Sequence, residues 1–133
     1  MRVGDLMQQA LVSVSPELSV EEFEELLTAE RIGGAPVVAD DQTGVLGVAS
    51  KTDIVRALSE ESTQWIRDLL RPDLTVRDIM TLDPVCVSPD EDVANVARTM
   101  IDGGLHRVLV IDKGDLVGIV TPLDLLAVIA APP

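Results

Sequence analysis

The chain has 133 residues, of which 47% are hydrophobic but only 2% aromatic, so about one domain must form around an aliphatic core. The excess of 23 acidic over 10 basic residues argues against nucleic acid and anionic membranes as partners, because both require clustered Lys and Arg. The single Cys and single His exclude a disulfide framework and a zinc site with several such ligands, and no apolar run reaches the ~18 residues of a membrane span. With no apolar signal segment either, we expect a soluble cytoplasmic protein.

The first half of the chain predicts a succession of short elements. Alternating and β-branched residues indicate strands, whereas apolar residues at helical spacing, such as Val20, Phe23 and Leu27, indicate helices. In chain order we predict a short helix (Val3–Gln8), a strand (Leu11–Val14), a helix (Val20–Ala29), two strands (Pro36–Val38 and Val45–Ala49) and a closing helix (Thr52–Leu58).

The same succession recurs after a connector. Residues 61–75 form this connector, in which we predict a short helix, Thr63–Leu70, that ends before Pro72. Beyond it we predict a short helix (Val76–Met80), a strand (Val85–Val87), a helix (Val93–Ile101), two strands (Val108–Ile111 and Leu116–Val120) and a closing helix (Leu123–Ile129).

The two halves, residues 1–60 and 76–133, are copies of one β-α-β-β-α unit. VGDLMQQALVSVSPELSV from Val3 matches VRDIMTLDPVCVSPDEDV 73 positions later, and GVASKTDIV from Gly47 matches GIVTPLDLL 71 positions later. A small sheet with helices on one side leaves its other face apolar and open. We therefore expect an α+β fold in which the two repeats pack sheet to sheet, with the helices outside.

These motifs carry a resemblance to a known family. The pattern D-[LI]-M, V-x-V-S-P, then P-V-V or V-L-V-I-D, then G-[VI]-[AV]-[ST]-x-x-D resembles the tandem cystathionine-beta-synthase (CBS) domain pair, or Bateman module. The resemblance covers about Val3 to Ile129, with no catalytic or transport domain attached, so we expect a stand-alone CBS-domain protein. It implies a module that binds adenosine-containing ligands and reports their level to a partner.

The last strand-to-helix turn of each repeat gives that role a chemical reason. Thr121 and Asp124 lie where a strand ends and a helix begins, and the positive helix end suits an anion. The Thr121 hydroxyl can bond a phosphate, and the Asp124 carboxylate can accept from a ribose diol; the resemblance implies the same roles. Ser50 and Asp53 occupy these places in repeat one. Helix capping alone also explains both pairs, and the two roles are compatible.

The other predicted site residues divide between two unequal crevices. His106 and Arg107 are a basic pair in an acidic chain, and the resemblance to AMP-sensing members implies that they face the phosphate. The alternative is that both residues are exposed and interact electrostatically with Asp102 or Asp112. The resemblance implies that the stronger site, with Thr121 and Asp124, also contains Gln8, Ala10, Leu11, Gly33, Gly34 and Ile119. The weaker site would contain Ser50, Asp53, Val48 and Lys51, with Lys51 in place of the missing His-Arg pair.

We therefore expect a regulatory module that binds AMP, ADP or ATP, or else S-adenosylmethionine or NAD(H), between the repeats and signals to an unknown effector protein. The sequence offers no nucleophile–base pair or metal-ligand set, so we expect neither an enzyme nor a required cofactor. The alternative is a structural homodimerisation module with vestigial, empty crevices.

Two further expectations concern packing. The closing helix LDLLAVIA is apolar nearly all round, which predicts a homodimer whose contact includes Leu125, Leu126 and Val128. Cys86 lies on an alternating strand and is predicted to belong to the core.

Overall fold

The computed structural model describes residues 1–40, 44–59 and 74–130. The predicted connector helix Thr63–Leu70 lies outside the described residues. The chain divides into two compact units: Val12–Asp83, here called the repeat-one unit, and Met1–Leu11 with Pro84–Pro133, here called the repeat-two unit. Each unit combines the sheet of one repeat with the leading segment of the other. The predicted packing of sheet on sheet stays a prediction.

The repeat-one unit is built around an antiparallel hairpin. Its elements in chain order are α1 (Val20–Glu30), β1 (Gly34–Val38), β2 (Val45–Ser50), α2 (Lys51–Ser59), α3 (Val76–Ile79) and β3 (Thr81–Leu82). The sheet has the order β1-β2-β3, and both pairings are antiparallel. The register places Gly34 opposite Ser50 and Thr81 opposite Val48. The end of the second repeat's leading segment therefore becomes an edge strand of the first repeat's sheet.

The repeat-two unit has the same plan. It begins with a 3-10 turn (Val3–Asp5). After the residues of the repeat-one unit, it continues with β4 (Cys86–Val87), α4 (Val93–Gly103), β5 (Val108–Asp112), β6 (Asp115–Val120) and α5 (Pro122–Ala130). The sheet order is β4-β5-β6, with β4 parallel and β6 antiparallel to β5. Gln8 bridges to Ile119 through two backbone hydrogen bonds of 2.9 and 3.1 Å. Gln8 thus takes the place that Thr81 holds in the other unit.

Each unit has its own core, which is aliphatic apart from Phe23 in the repeat-one unit, as the scarcity of aromatic residues predicts. The leading segments supply fully buried residues to both cores, Val3 in one and Val76 in the other. The repeat-one core contains Val14, Val20, Phe23, Leu27, Ala35, Val37, Ala49, Val76 and Ile79. The repeat-two core contains Val3, Val96, Met100, Val108, Val110 and Val120. Within the described ranges, no helix combines the length and apolar character that crossing a bilayer would require.

The predicted strand Leu11–Val14 is wrong, and Pro36 supplies the reason. Val14 alone bridges to β1, through a bond from its N–H to the Pro36 carbonyl and one to its own carbonyl from Val38. The next bond of a parallel ladder would need a donor at Pro36, which has no N–H. In repeat two the matching position is Leu109, whose N–H does bond the Val85 carbonyl, at 3.0 Å, beside strand β4. The predicted first helix Val3–Gln8 is likewise reduced to the turn Val3–Asp5.

The predicted burial of Cys86 is also wrong. Its neighbours Val85 and Val87 pack against the repeat-two core, so the alternation of a strand turns Cys86 away from it. Cys86 is exposed, and its thiol donates to the Pro84 carbonyl at 3.4 Å. Partial burial of the sulfur nevertheless raises the pKa of the Cys86 thiol.

Candidate functional site

Each closing helix begins with a hydroxyl residue and, three positions later, an aspartate that cap each other. The backbone N–H and the hydroxyl of Ser50 donate to Oδ2 of Asp53 at 2.8 and 3.0 Å, and the Asp53 N–H donates back to Ser50 Oγ at 3.2 Å. Thr121 and Asp124 repeat this pattern at 2.8, 3.1 and 3.4 Å. The capping interpretation of both pairs is confirmed. In each pair, Oδ1 is the carboxylate oxygen that remains for other partners.

In the repeat-two unit, Oδ1 of Asp124 meets an amide from the leading segment. The side-chain Nε2 of Gln8 donates to it at 2.9 Å. Gln8 is exposed, whereas Asp124 and Thr121 are half-buried. The amide is a neutral donor, and a hydroxyl group can replace it at the carboxylate without a change in charge. The cluster of Gln8, Thr121 and Asp124 therefore has the chemistry to accept hydrogen bonds from a ribose diol.

In the repeat-one unit, Oδ1 of Asp53 has two partners among the described residues, and one of them is a cation. Thr81 donates its hydroxyl to this oxygen at 3.1 Å. Arg56, one helical turn after Asp53, donates its Nη1 at 2.9 Å and forms an ion pair. The side chain of Asp53 is only 4% exposed, while that of Arg56 is 63% exposed. The repeat-one carboxylate is therefore more deeply buried than its counterpart and carries its own counter-ion.

Thr81 and Arg56 are the site residues that the sequence interpretation missed. A signal for Thr81 was present, because it lies 73 positions after Gln8 and thus at the matching place of the repeat. A signal for Arg56 was present as well, because a cation three positions after an aspartate lies on the same helix face. Arg56 has no counterpart in repeat two, where Ala127 occupies the matching position.

The predicted cationic pair lies at the same end of the hairpin as Thr121. Val108 pairs with Val120 in the β5–β6 register, so Arg107 directly precedes and Thr121 directly follows the same pair. His106 is exposed and Arg107 is half-buried. The register thus brings the two basic residues to the edge of the sheet at which the closing helix begins.

Gly33 and Gly34 occupy the corresponding place in the repeat-one unit. Gly34 pairs with Ser50, and the Gly33 carbonyl accepts from the Lys51 N–H at 2.9 Å. Both glycines therefore lie beside the Ser50–Asp53 pair. Their predicted contribution to the site of Thr121 and Asp124 stays a prediction.

The remaining predicted residues lie along the same strands and segments. Ile119 is buried at 8% exposure, and its equivalent Val48 is half-buried. Ala10 is exposed and Leu11 half-buried, both just beyond the bridge that Gln8 makes. Lys51 is the exposed first residue of α2. In the part of the chain that the structure describes, no three His, Cys, Asp or Glu side chains are grouped as metal ligands would be.

Comparison with known protein families identifies the same domain in both repeats. The family model of the CBS domain matches residues 3–60 and again residues 76–131. An uncharacterized protein of Methanocaldococcus jannaschii is 27% identical over 97% of this chain, which covers 43% of that protein. The chloroplastic CBS domain-containing protein CBSX2 of Arabidopsis thaliana is 32% identical over 90% of this chain, which covers 59% of it. The chain thus spans less than two thirds of the length of these curated relatives.

Solved structures of similar fold include two that hold adenosine compounds. The crystal structure of CBSX2 in complex with AMP gives a TM-score of 0.80 at 30% identity, with 97% of this chain and 96% of that chain covered. The CBS domain pair of protein MJ0100, in complex with 5′-methylthioadenosine and S-adenosyl-L-methionine, gives 0.82 at 25% identity, with 97% and 99% covered. The predicted α+β fold and the resemblance to a CBS domain pair are thereby confirmed.

Proposed function

The chain belongs to the CBS domain family, and from this premise we propose that it is a non-enzymatic regulatory module that binds an adenosine-containing ligand. The cluster of Gln8, Thr121 and Asp124 is the observation that carries the proposal. It offers a half-buried carboxylate whose Oδ1 is held only by an exposed, neutral amide among the described residues. The relatives that hold AMP or S-adenosylmethionine support the ligand class.

The proposed division of roles follows from charge. Asp124 would accept from the ribose hydroxyls, because a carboxylate is an acceptor with no donor of its own. His106 and Arg107, at the same end of the hairpin, would face the phosphate or another anionic part of the ligand. Carboxylate and phosphate would then lie apart, which avoids their mutual repulsion. Occupancy would be communicated to an effector protein, and the compartment in which this happens would be the cytoplasm.

Isothermal titration of the purified chain with AMP, ADP, ATP, NADH and S-adenosylmethionine tests this function. We expect saturable binding of at least one of these compounds, and no binding of the matching base-free compound ribose 5-phosphate at the same concentrations. If none of the adenosine compounds binds to the folded chain, the proposed function is wrong.

One observation favours a second function, that of a structural homodimerisation module. Helix α5 exposes several large apolar side chains, of which Leu123 is 74% and Ile129 82% exposed. Soluble monomers rarely keep such a patch uncovered. A chain that forms a stable dimer and binds none of the five ligands would support this alternative.

A further inference from the structure

The two capping aspartates differ in a way that bears on how many ligands one chain can hold. Among the described residues, the donors to Asp53 belong to the repeat-one unit and those to Asp124 belong to the repeat-two unit. The two carboxylates can therefore be compared donor by donor.

Asp53 has all its acceptor positions engaged. Ser50 donates twice to Oδ2, and Thr81 and Arg56 both donate to Oδ1. A carboxylate offers about four acceptor positions, so these donors fill it. Asp124 accepts only three hydrogen bonds from described residues, two from Thr121 and one from Gln8.

The donors also differ in how strongly they are held. The bond between Arg56 and Asp53 joins two ions, and such bonds are roughly twice as strong as neutral ones. Displacing Arg56 would leave a buried anion facing a neutral hydroxyl, which cannot compensate its charge. Displacing Gln8 from Asp124 exchanges one neutral donor for another.

From this difference we infer that Arg56 closes Asp53 to ribose, so that each chain takes up one adenosine ligand, at Asp124. The inference rests on the proposed function, because it assumes that the capping aspartate is the ribose acceptor. Arg56 is thus the residue that decides between one and two occupied sites. Repeat two stays open because Ala127, at the position that matches Arg56, has no side-chain donor.

The test is the stoichiometry of AMP binding, measured by isothermal titration on chains shown to be folded by circular dichroism. We expect one AMP per wild-type chain and two per Arg56→Ala chain. Arg77→Ala is the matched control: it removes one arginine from an exposed ion pair with Glu17 in the same unit, and it should leave the count at one. Asp53→Ala should also leave the count at one.

A second variant, at the matching position of repeat two, tests the inference even if Arg56→Ala does not fold. Ala127→Arg places a guanidinium three positions after Asp124, where it should capture the carboxylate and weaken AMP binding by roughly 10-fold or more, the scale of one charge-assisted hydrogen bond. Ala127→Gln is its uncharged control and should change the affinity less than threefold.

The outcomes separate this inference from the proposed function. Two AMP molecules per wild-type chain would overturn the inference and leave the function intact. Binding of AMP by Arg56→Ala but not by the wild type would overturn the inference, because the wild-type chain would then hold no ligand at Asp124. A folded Arg56→Ala that binds no more AMP than the wild type, or an Ala127→Arg with wild-type affinity, would overturn the inference.

Discussion

The side-chain amide of Gln8 donates to Oδ1 of Asp124 at 2.9 Å, although the two residues lie 116 positions apart in the sequence. Thr81 makes the equivalent bond to Asp53 at 3.1 Å. In both units, therefore, the end of a leading segment contacts the carboxylate that caps the closing helix. A ligand hydroxyl that took the place of the Gln8 amide at Asp124 would release the side chain of that segment, which would link occupancy to a second part of the chain.

The first prediction concerns the proposed ribose acceptor. Asp124→Ala should weaken AMP binding by about 1–3 kcal/mol, because it removes a charged hydrogen-bond partner. Asp115→Ala removes an exposed carboxylate from the same unit and should leave the affinity unchanged. The dissociation constants come from isothermal titration. An unchanged constant for a folded Asp124→Ala would show that another group binds the ribose.

The second prediction concerns the phosphate. AMP should bind more tightly than adenosine, and the difference should shrink as salt rises, because dissolved ions screen the attraction between the phosphate and the partly exposed basic pair. Arg107→Ala should remove most of the preference for AMP. Arg98→Ala takes an exposed arginine from α4 of the same unit and should retain it. Equal binding of adenosine and AMP by the wild type at low salt would contradict the role of His106 and Arg107.

The third prediction concerns assembly. Leu126 is 57% exposed on α5, next to the exposed Leu123 and Ile129. Leu125, which is also predicted as a contact, is half-buried and packs partly against the repeat-two core. We expect light scattering at micromolar concentration to show a dimer that Leu126→Glu dissociates. Leu82→Glu changes a similarly exposed leucine of the other unit and serves as control. A wild-type mass near 14.2 kDa would reject the dimer, and a dimer that survives Leu126→Glu would reject this surface.

The fourth prediction concerns a strained helix end. Helices α1 and α4 both end in a left-handed residue, Arg31 with φ 56° and Gly104 with φ 60°. This conformation raises the free energy of a residue other than glycine by about 1–2 kcal/mol. Arg31→Gly should therefore raise the free energy of unfolding in urea by up to about 1 kcal/mol, and Gly104→Ala should lower it. Arg31→Ala removes the charge but keeps the strain, so a gain equal to that of Arg31→Gly would refute the explanation.

The fifth prediction concerns Cys86. Because burial raises the pKa of its thiol, the reactive thiolate is scarcer at neutral pH than for an ordinary cysteine. Iodoacetamide should label Cys86 more slowly than it labels glutathione at pH 7, and the rate should increase as the pH rises through the thiol's pKa. A labelling rate at pH 7 that matches or exceeds that of glutathione would contradict this.

Local patterns predicted the elements well because their causes are local. Helix α1 was expected at Val20–Ala29 and is found at Val20–Glu30. Helix α5 begins at Pro122, one residue before the prediction, since proline fits the first position of a helix. The prediction of a strand at Leu11–Val14 was wrong because of a residue that is distant in sequence, Pro36, which has no N–H to donate. The predicted burial of Cys86 was wrong because alternation shows that a strand has two faces but does not show which face is buried.

The site was predictable to the same extent. The pairs Ser50–Asp53 and Thr121–Asp124 stand out as a repeated motif, and the structure joins each pair by hydrogen bonds. That Gln8 and Thr81 would supply the next donors depends on which leading segment pairs with which sheet. This choice is made by tertiary packing, which no local pattern records. The contact between Arg56 and Asp53 could have been predicted from helical spacing alone.

The exchange of leading segments between the two repeats has a consequence for synthesis on the ribosome. Residues 1–11 emerge before both sheets, whereas the strand that Gln8 bridges, β6, is made after the whole repeat-one unit. At roughly 5–20 residues per second, the intervening hundred or so residues take about 5–20 s. During that interval Val3, which ends fully buried, has no completed core to enter. The repeat-one unit can close earlier, once Thr81 has emerged, so residues 1–11 are made before that unit but take up their final packing after it.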